Sequence, residues 1–480
     1  MSGSDTLVLG VDSSTQSTTI EARRLTTGEV VASSRAPHPT TTPPVSEQHP
    51  DAWWSALVSA MGDLDADVRA AVGAISVAGQ QHGLVLLDEH DRPLRPAKLW
   101  NDTTSAPQAD RLVAEQRASV WADRTGSVPV ASFTVAKLAW VAEHEPDLIG
   151  RVRRIGLPHD YLTLRLTGRH VTDRGDASGT GWFDPVDGRY LPDALAAAGV
   201  DGSWSERLPT VLGPLDPAGE LKPEAAAELG LSPACLVGPG SGDNMGAALG
   251  LGLGIGDLVI SLGTSGVAYA RSATSTHDPS GAVAGFADAT GGFLPLVCTL
   301  NATKVTDAVA GWLGTDAAGL AELALAAEGG EVTVVPWFDG ERTPNRPDAT
   351  GTLVGLRTDS TREQLALAAH DGVLCGLLEG FDALESLGVA VDGTLHLTGG
   401  GARSAAYRQR LADLWQRPIV VPDADETVAT GAAVQAGAVA EQVGLDTIQQ
   451  RWGLGAGINV EPDDAVDADA IRSRYARAAV

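Results

Sequence analysis

An aspartate stands at position 243, at the end of the turn Gly238-Pro239-Gly240-Ser241-Gly242 and just before the small, apolar run 245–250. Residues 234–237 read as a short buried strand ahead of that turn, so Asp243 falls where a glycine-rich turn meets a helix start. A carboxylate there has two uses. It can cap the helix by accepting from free backbone N–H groups. It can also stand at the mouth of a cleft and take a proton from a substrate hydroxyl. A second aspartate, Asp12, closes the apolar run 6–11 and opens the hydroxyl-rich turn Ser13-Ser14-Thr15-Gln16-Ser17. It either settles its own turn by an Asx-type hydrogen bond or holds magnesium through water, as that ion prefers.

Two further polar turns follow apolar runs, Gly263-Thr264-Ser265-Gly266 and Gly399-Gly400-Gly401-Ala402-Arg403-Ser404. Turns of glycine, Ser and Thr offer N–H groups and hydroxyls to phosphate oxygens, and a following helix adds its positive end. Each alone is as well read as an ordinary turn, since Gly and Ser dominate turns. All three turns together, with an acidic residue closing the first strand, are far less expected by chance and point to a phosphate site. The pattern Gly-x-x-x-x-Gly-Lys-Ser/Thr does not occur, which excludes a P-loop. Gln80-Gln81-His82 lies between glycines after another apolar run and forms a donor and acceptor set suited to several sugar hydroxyls. Trp100-Asn101-Asp102 and Trp53-Trp54 would add an aromatic wall and polar contacts, or else pack a core.

The elements that must position these residues read as follows. Strands at 6–11, 18–25 and 30–36, joined by short turns, make a meander. A proline-rich loop at 37–44 precedes an amphipathic helix at 50–61, and a buried strand at 71–78 runs straight into the glutamine–histidine turn. Short strands are expected at 84–88 and 96–101. The region 105–235 is mainly helical and loop-rich, with helices at 137–143 and 160–166 and a loop at 173–180. From 257 the opening pattern recurs: strand 258–262, hydroxyl–glycine turn, return strand 267–271. An internal duplication with a site between the copies explains the recurrence economically. A strand at 332–336, a long helix at 362–387, strands at 394–397 and 419–421, and helices at 405–415 and 427–443 follow. Alternating strands and helices define an α/β class, whose ligands bind beyond the carboxyl ends of the strands.

A chain of 480 residues exceeds one ordinary core, so two large domains are expected. The net charge of −27 argues against nucleic acid as a partner, because phosphate neutralisation needs clustered Lys and Arg. No apolar run is long enough to span a bilayer, and residues 1–5 carry no secretion signal. Cys235, Cys298 and Cys375 are far apart and belong to no metal-binding spacing, which fits a reducing cytoplasm. A homodimer is compatible with these features.

The turns at 12–17 and 263–266, the central Gly-Asp-Asn and the triple glycine together resemble the FGGY carbohydrate kinases. Further matching segments are Ser46-Glu47-Gln48-His49-Pro50, Gly79-Gln80-Gln81-His82-Gly83, Leu99-Trp100-Asn101-Asp102 and Leu157-Pro158-His159-Asp160-Tyr161-Leu162. Gly340-Glu341-Arg342-Thr343-Pro344 belongs with them, and the resemblance runs from about residue 7 to about 440. It implies two actin-like ATPase (ribonuclease H-like) domains with a cleft between them: 1–244 sugar-binding, 245–445 nucleotide-binding, and 446–480 an extension. It implies ATP and Mg2+ as cofactors and phosphorylation of D-xylulose to D-xylulose 5-phosphate. Ribulose, ribitol or glycerol are the alternative acceptors, and an actin-like nucleotide-binding protein without a sugar acceptor is the alternative of another class. By the same resemblance Asp243 is the general base and Asp12 the carboxylate facing the metal and ATP. Gln81, His82 and Asn244 touch the sugar, with Trp100 and Asp102 beside them, and Thr15, Thr264, Gly400, Gly401 and Ser404 contact the nucleotide. The chain departs from the family pattern at Gln81, where Met is usual, at Ser14 (glycine), at Thr19 (lysine) and at His159 (lysine).

Overall fold

A computed structural model describes residues 6–423 and 426–480. The reading of residues 1–5 as carrying no secretion signal lies outside the described residues.

The first apolar run forms β1 (Leu7–Ser13), buried along nearly its whole length, as a central strand must be. It pairs antiparallel with β2 (Ser17–Arg24), which pairs antiparallel with β3 (Val30–Pro37), giving the expected meander. On its other side β1 pairs parallel with β4 (Val72–Gly79), and β4 with β5 (Leu236–Val237). The second half repeats the plan. β6 (Leu258–Leu262) pairs antiparallel with β7 (Gly266–Ala270), and β7 with β8 (Phe293–Thr299). β6 also pairs parallel with β9 (Leu395–Thr398), and β9 with β10 (Ile419–Pro422). Both seven-stranded sheets thus share one core order, an antiparallel meander followed by two parallel strands. This is the duplicated α/β architecture of actin-like ATPases. Each sheet has its own apolar core, one around Leu9, Val11, Trp53 and Ile75 and the other around Ile260, Leu377, Leu397 and Tyr407.

The halves are tied together by the late helix Thr427–Glu441, which packs on β1 and β4 of the first sheet and crosses the helix Asp243–Gly250. Small residues make the crossing possible. A Cβ on Gly10 would strike the carbonyl of Ala429, and one on Gly431 the carbonyl of Gly246. The segment after 445 also spans both halves: Trp452 donates to the Leu25 carbonyl at 3.0 Å, and Gly457–Val460 adds an edge strand to the second sheet beside β10.

One expectation changes, and for the tryptophan pair the core-packing alternative holds. The stretch 173–180 is a short helix, Arg174–Ser178, because the Asp173 carboxylate accepts from Gly175 at 2.7 Å and Asp176 at 3.1 Å and nucleates it. Trp53 and Trp54 are core residues of the helix Pro50–Gly62, and Trp53 donates to Gln48 Oε1 at 2.7 Å. Among the described residues, no helix is long and apolar enough to cross a membrane.

Candidate active site

The turn from β5 into the helix Asp243–Gly250 is held by Gln435 and packed against His159. Gln435 on the late helix donates to the Gly240 carbonyl at 3.0 Å and receives the Ser76 hydroxyl at 2.9 Å. Gly240 has φ +84°, a left-handed conformation suited to glycine, and a Cβ there would meet His159 Cδ2 at 2.5 Å. Gly242, in an extended conformation, takes the helix N-cap position, so Asp243 is the first helical residue and not the cap. Its Oδ1 accepts from the Asn244 amide N–H at 2.8 Å and side-chain amide at 3.0 Å. The helix has Gly242 at its N-cap and no side-chain capping bond, so the capping alternative falls away. Burial, with the Asp176 carboxylate nearby, pushes Asp243 up to about 7 against the lowering effect of those Asn244 donors.

Beneath the turn lies a fully buried charged group. His159 Nδ1 meets Asp176 at 2.9 Å, and its Nε2 lies 3.1 Å from Asp160 and 3.6 Å from Asp173. Burial alone would lower this imidazole, but the three carboxylates prevail and push it up to about 9. His159 is thus a buried cation where the family has lysine.

Burial pushes the Asp12 carboxyl up to about 8, with Asp243 and Glu426 adding repulsion and Arg35 opposing it. Its Oδ1 is buried without a hydrogen-bond partner. Two mutually repelling carboxylates and an orphaned oxygen fit a bound cation. Among the described residues no cluster of three or more His, Cys, Asp or Glu is built to hold a metal. A single orphaned carboxylate oxygen suits an ion that keeps most of its water, such as magnesium. Thr15 donates to Gln80 Oε1 at 3.1 Å and accepts from Trp100 Nε1 at 2.9 Å, which ties the first turn to the wall below.

That wall belongs to a cavity of about 400 Å³ lined by Gln81, His82, Trp100, Asp243 and Asn244 from the first half and by the 263–267 turn from the second. Gln81 Oε1 accepts from Asn244 at 2.7 Å, while its buried Nε2 has no partner. The glutamine at this departure from the family pattern therefore fixes the residue next to Asp243. His82 has φ +65° and stacks on Phe133 at a centroid distance of 5.1 Å. Burial, then the charges of Lys137 and Arg342, hold its imidazole well below the usual histidine range, so it is neutral at pH 7. A second cavity of about 770 Å³ is lined by Thr264, Gly400, Gly401 and Ser404 together with Thr303 and Tyr407. The two cavities share Gly263 and Thr264. Asp12 and Thr15 line neither. Asp102 is fully buried and also stands apart: it accepts from Ser46 at 2.9 Å, Lys98 at 3.2 Å and the Thr104 amide at 3.0 Å. Burial would raise its carboxyl, but these donors hold it below the usual range.

Several lining residues carried no site expectation: Phe286, Cys298, Thr299 and Arg342 in the smaller cavity, Thr303 and Tyr407 in the larger. Only Arg342 had a local signal, in the run Gly340-Glu341-Arg342-Thr343-Pro344. The others are delivered by sheet pairing and helix packing.

A two-domain α/β molecule with a carboxylate-bearing cavity that shares its Gly263–Thr264 wall with a glycine- and hydroxyl-lined one has the make-up of a small-molecule kinase. The N-terminal domain model of the FGGY family of carbohydrate kinases matches residues 7–250, and the C-terminal domain model matches residues 258–440. The chain belongs to this family. It is 47% identical over 464 residues to a xylulose kinase of Streptomyces coelicolor, covering 96% of this chain and 93% of that protein. It is 34% identical to a xylulose kinase of Haemophilus influenzae, covering 90% of each. Among solved structures, the xylulose kinase of Bifidobacterium adolescentis superposes with a TM-score of 0.85 at 39% identity, covering 99% of both chains. The protein is thus a carbohydrate kinase that uses ATP.

Proposed function

We propose that this kinase transfers the γ-phosphoryl group of ATP to D-xylulose, giving D-xylulose 5-phosphate and ADP. The observation that carries the reading is the meeting of the two cavities at Gly263 and Thr264, with Asp243 in the smaller one. A sugar there and a nucleotide in the larger cavity bring an acceptor hydroxyl and a phosphoryl group to one point. The names of the relatives supply the sugar.

In this account Gln81, His82 and Asn244 bind the sugar hydroxyls and Trp100 closes the wall. Asp102 acts at one remove, by tying down the turn that carries Trp100. Asp243, raised to about 7 by burial and Asp176, takes the proton of the attacking hydroxyl, a task for which a base near the working pH is best placed. The sugar oxygen then bonds to the γ-phosphorus as the bond to the β-phosphate oxygen breaks. Thr264, Gly400, Gly401 and Ser404 hold the nucleotide, and Thr15 braces the turn carrying Asp12. Asp12 would hold magnesium, which when bound neutralises phosphate charge. The domain division follows the same logic: 1–244 for sugar, 245–445 for nucleotide, 446–480 as an extension joining the halves. The three free cysteines suit a reducing cytoplasm as its setting.

A panel of D-xylulose, D-ribulose, ribitol and glycerol with coupled ADP detection tests the proposal. D-xylulose should give the highest kcat/KM. A higher value with another acceptor would assign a sister activity, and equal ADP release with no acceptor would favour an actin-like ATPase without one.

A further inference from the structure

Arg342 is the sole lysine or arginine among the described residues that line the smaller cavity. It shares that wall with Asp243, Asn244 and Thr264. Its backbone is fixed: the buried Glu341 carboxylate accepts from the amide N–H groups of Leu300 at 2.6 Å and Arg342 at 2.8 Å, and from Asn301 Nδ2 at 2.9 Å. Its guanidinium, by contrast, has no hydrogen bond, ion pair or ring contact among the described residues. Arg410 and Arg95, whose side chains are 9% and 8% exposed, are each paired twice, Arg410 with Asp371 and Asp413, Arg95 with Glu47 and Glu145. In a chain of net charge −27, an arginine clamped at its backbone, left without a carboxylate and turned into a cavity is a charge held for a ligand. Its field reaches His82, the buried Lys137 and Cys298, so the guanidinium faces the sugar side of the cavity.

The sugar hydroxyls need no cation. The group that arrives in this cavity with negative charge is the phosphoryl group, which enters past Thr264. Arginine's planar fork suits two equatorial phosphoryl oxygens, and positive charge on those oxygens is what lowers the barrier to phosphoryl transfer. Resting on the proposed reaction, we infer that Arg342 is a catalytic residue that binds the transferred phosphoryl group from the acceptor side and then holds the phosphate of the sugar product. The bonds made and broken are those already stated, with the hydroxyl proton on Asp243 and ADP leaving; Arg342 exchanges no proton.

The test compares wild type with Arg342→Ala, Arg342→Gln and Arg342→Lys, each checked for an unchanged thermal midpoint. Arg342→Gln keeps the stem and is the variant to read if Arg342→Ala fails to fold. The expected result is a kcat lower by roughly 100- to 1,000-fold, the size of effect found when one transition-state donor is removed. D-xylulose and ATP-analogue affinities should stay within about threefold, inhibition by D-xylulose 5-phosphate should weaken, and guanidinium ion should partly restore Arg342→Ala. A kcat within about threefold of wild type overturns the inference. So does a defect confined to sugar affinity. Wild type showing no D-xylulose-dependent ADP release refutes the proposed function instead, and the Arg342 comparison is then read with whichever acceptor of the panel wild type uses. Absence of turnover with every acceptor overturns both.

Discussion

Asp12 and Asp243 share a condition that sets both the pH behaviour and a cost to stability. Each is a carboxyl held above its ordinary range by burial; the Asp243 charge raises Asp12 further, and the Asp176 charge raises Asp243. A base must be ionised to act, so activity should rise as pH increases through the Asp243 value. The acid limb of kcat/KM against pH should have an apparent midpoint near 7 and lie lower at saturating magnesium. A limb near pH 4 would contradict the buried-pair picture. Stability runs the other way. Between the unfolded value of roughly 3.9 and the folded values, the folded chain binds more protons than the unfolded one, so these groups destabilise it progressively as pH rises across that window. Asp243→Asn removes the burden and should raise the thermal midpoint at pH 8 by roughly 1–3 °C, with little change at pH 4. Differential scanning calorimetry at the two pH values checks this.

The elements that aim these residues depend on a close crossing of the helices Asp243–Gly250 and Thr427–Glu441. Gly431→Val would drive a branched side chain into the Gly246 carbonyl. Overpacking of this kind typically costs about 1–3 kcal/mol and shifts backbone, so the thermal midpoint should fall and kcat should fall with it, because Asp243 begins the displaced helix. Loss of stability without loss of kcat would show that the crossing is structural only. The strand-and-turn pattern was legible in the sequence because its signals are local: apolar runs ending in glycine, Ser and Asp give both a strand end and a phosphate-binding turn. The same local chemistry misled at 173–180, where Asp173 caps a helix that glycine and serine disguise as a loop. The role of Gln81 in fixing Asn244, the hold of Gln435 on Gly240, and the cavity position of Phe286 arise from residues far apart in the chain. No periodicity carries such contacts, and for the same reason His159 read as a departure from a motif and not as a buried cation beneath the turn that carries Asp243.

For the whole molecule, two cavities that share Gly263 and Thr264 are placed for the ligand in one to touch the ligand in the other. An ATP analogue should tighten D-xylulose binding several-fold, and linkage requires the sugar to tighten the analogue by the same factor. Titration calorimetry of each ligand with and without the other measures both, and equal affinities in all four titrations would show two uncoupled sites. Trp100, 41% exposed at the cavity wall, offers an optical reading of the same event. The central claim joins all three scales: a duplicated fold places Asp243 between a sugar and ATP as the base for phosphoryl transfer. Its most direct test is sugar-dependent ADP release by wild type and by Asp243→Asn under one set of conditions, with the variant shown to be folded and to bind D-xylulose. The account expects D-xylulose-dependent turnover by wild type and a loss of at least about 1,000-fold in the variant, in the range lost when a positioned acid–base group is removed. Turnover by the variant within tenfold of wild type would contradict it.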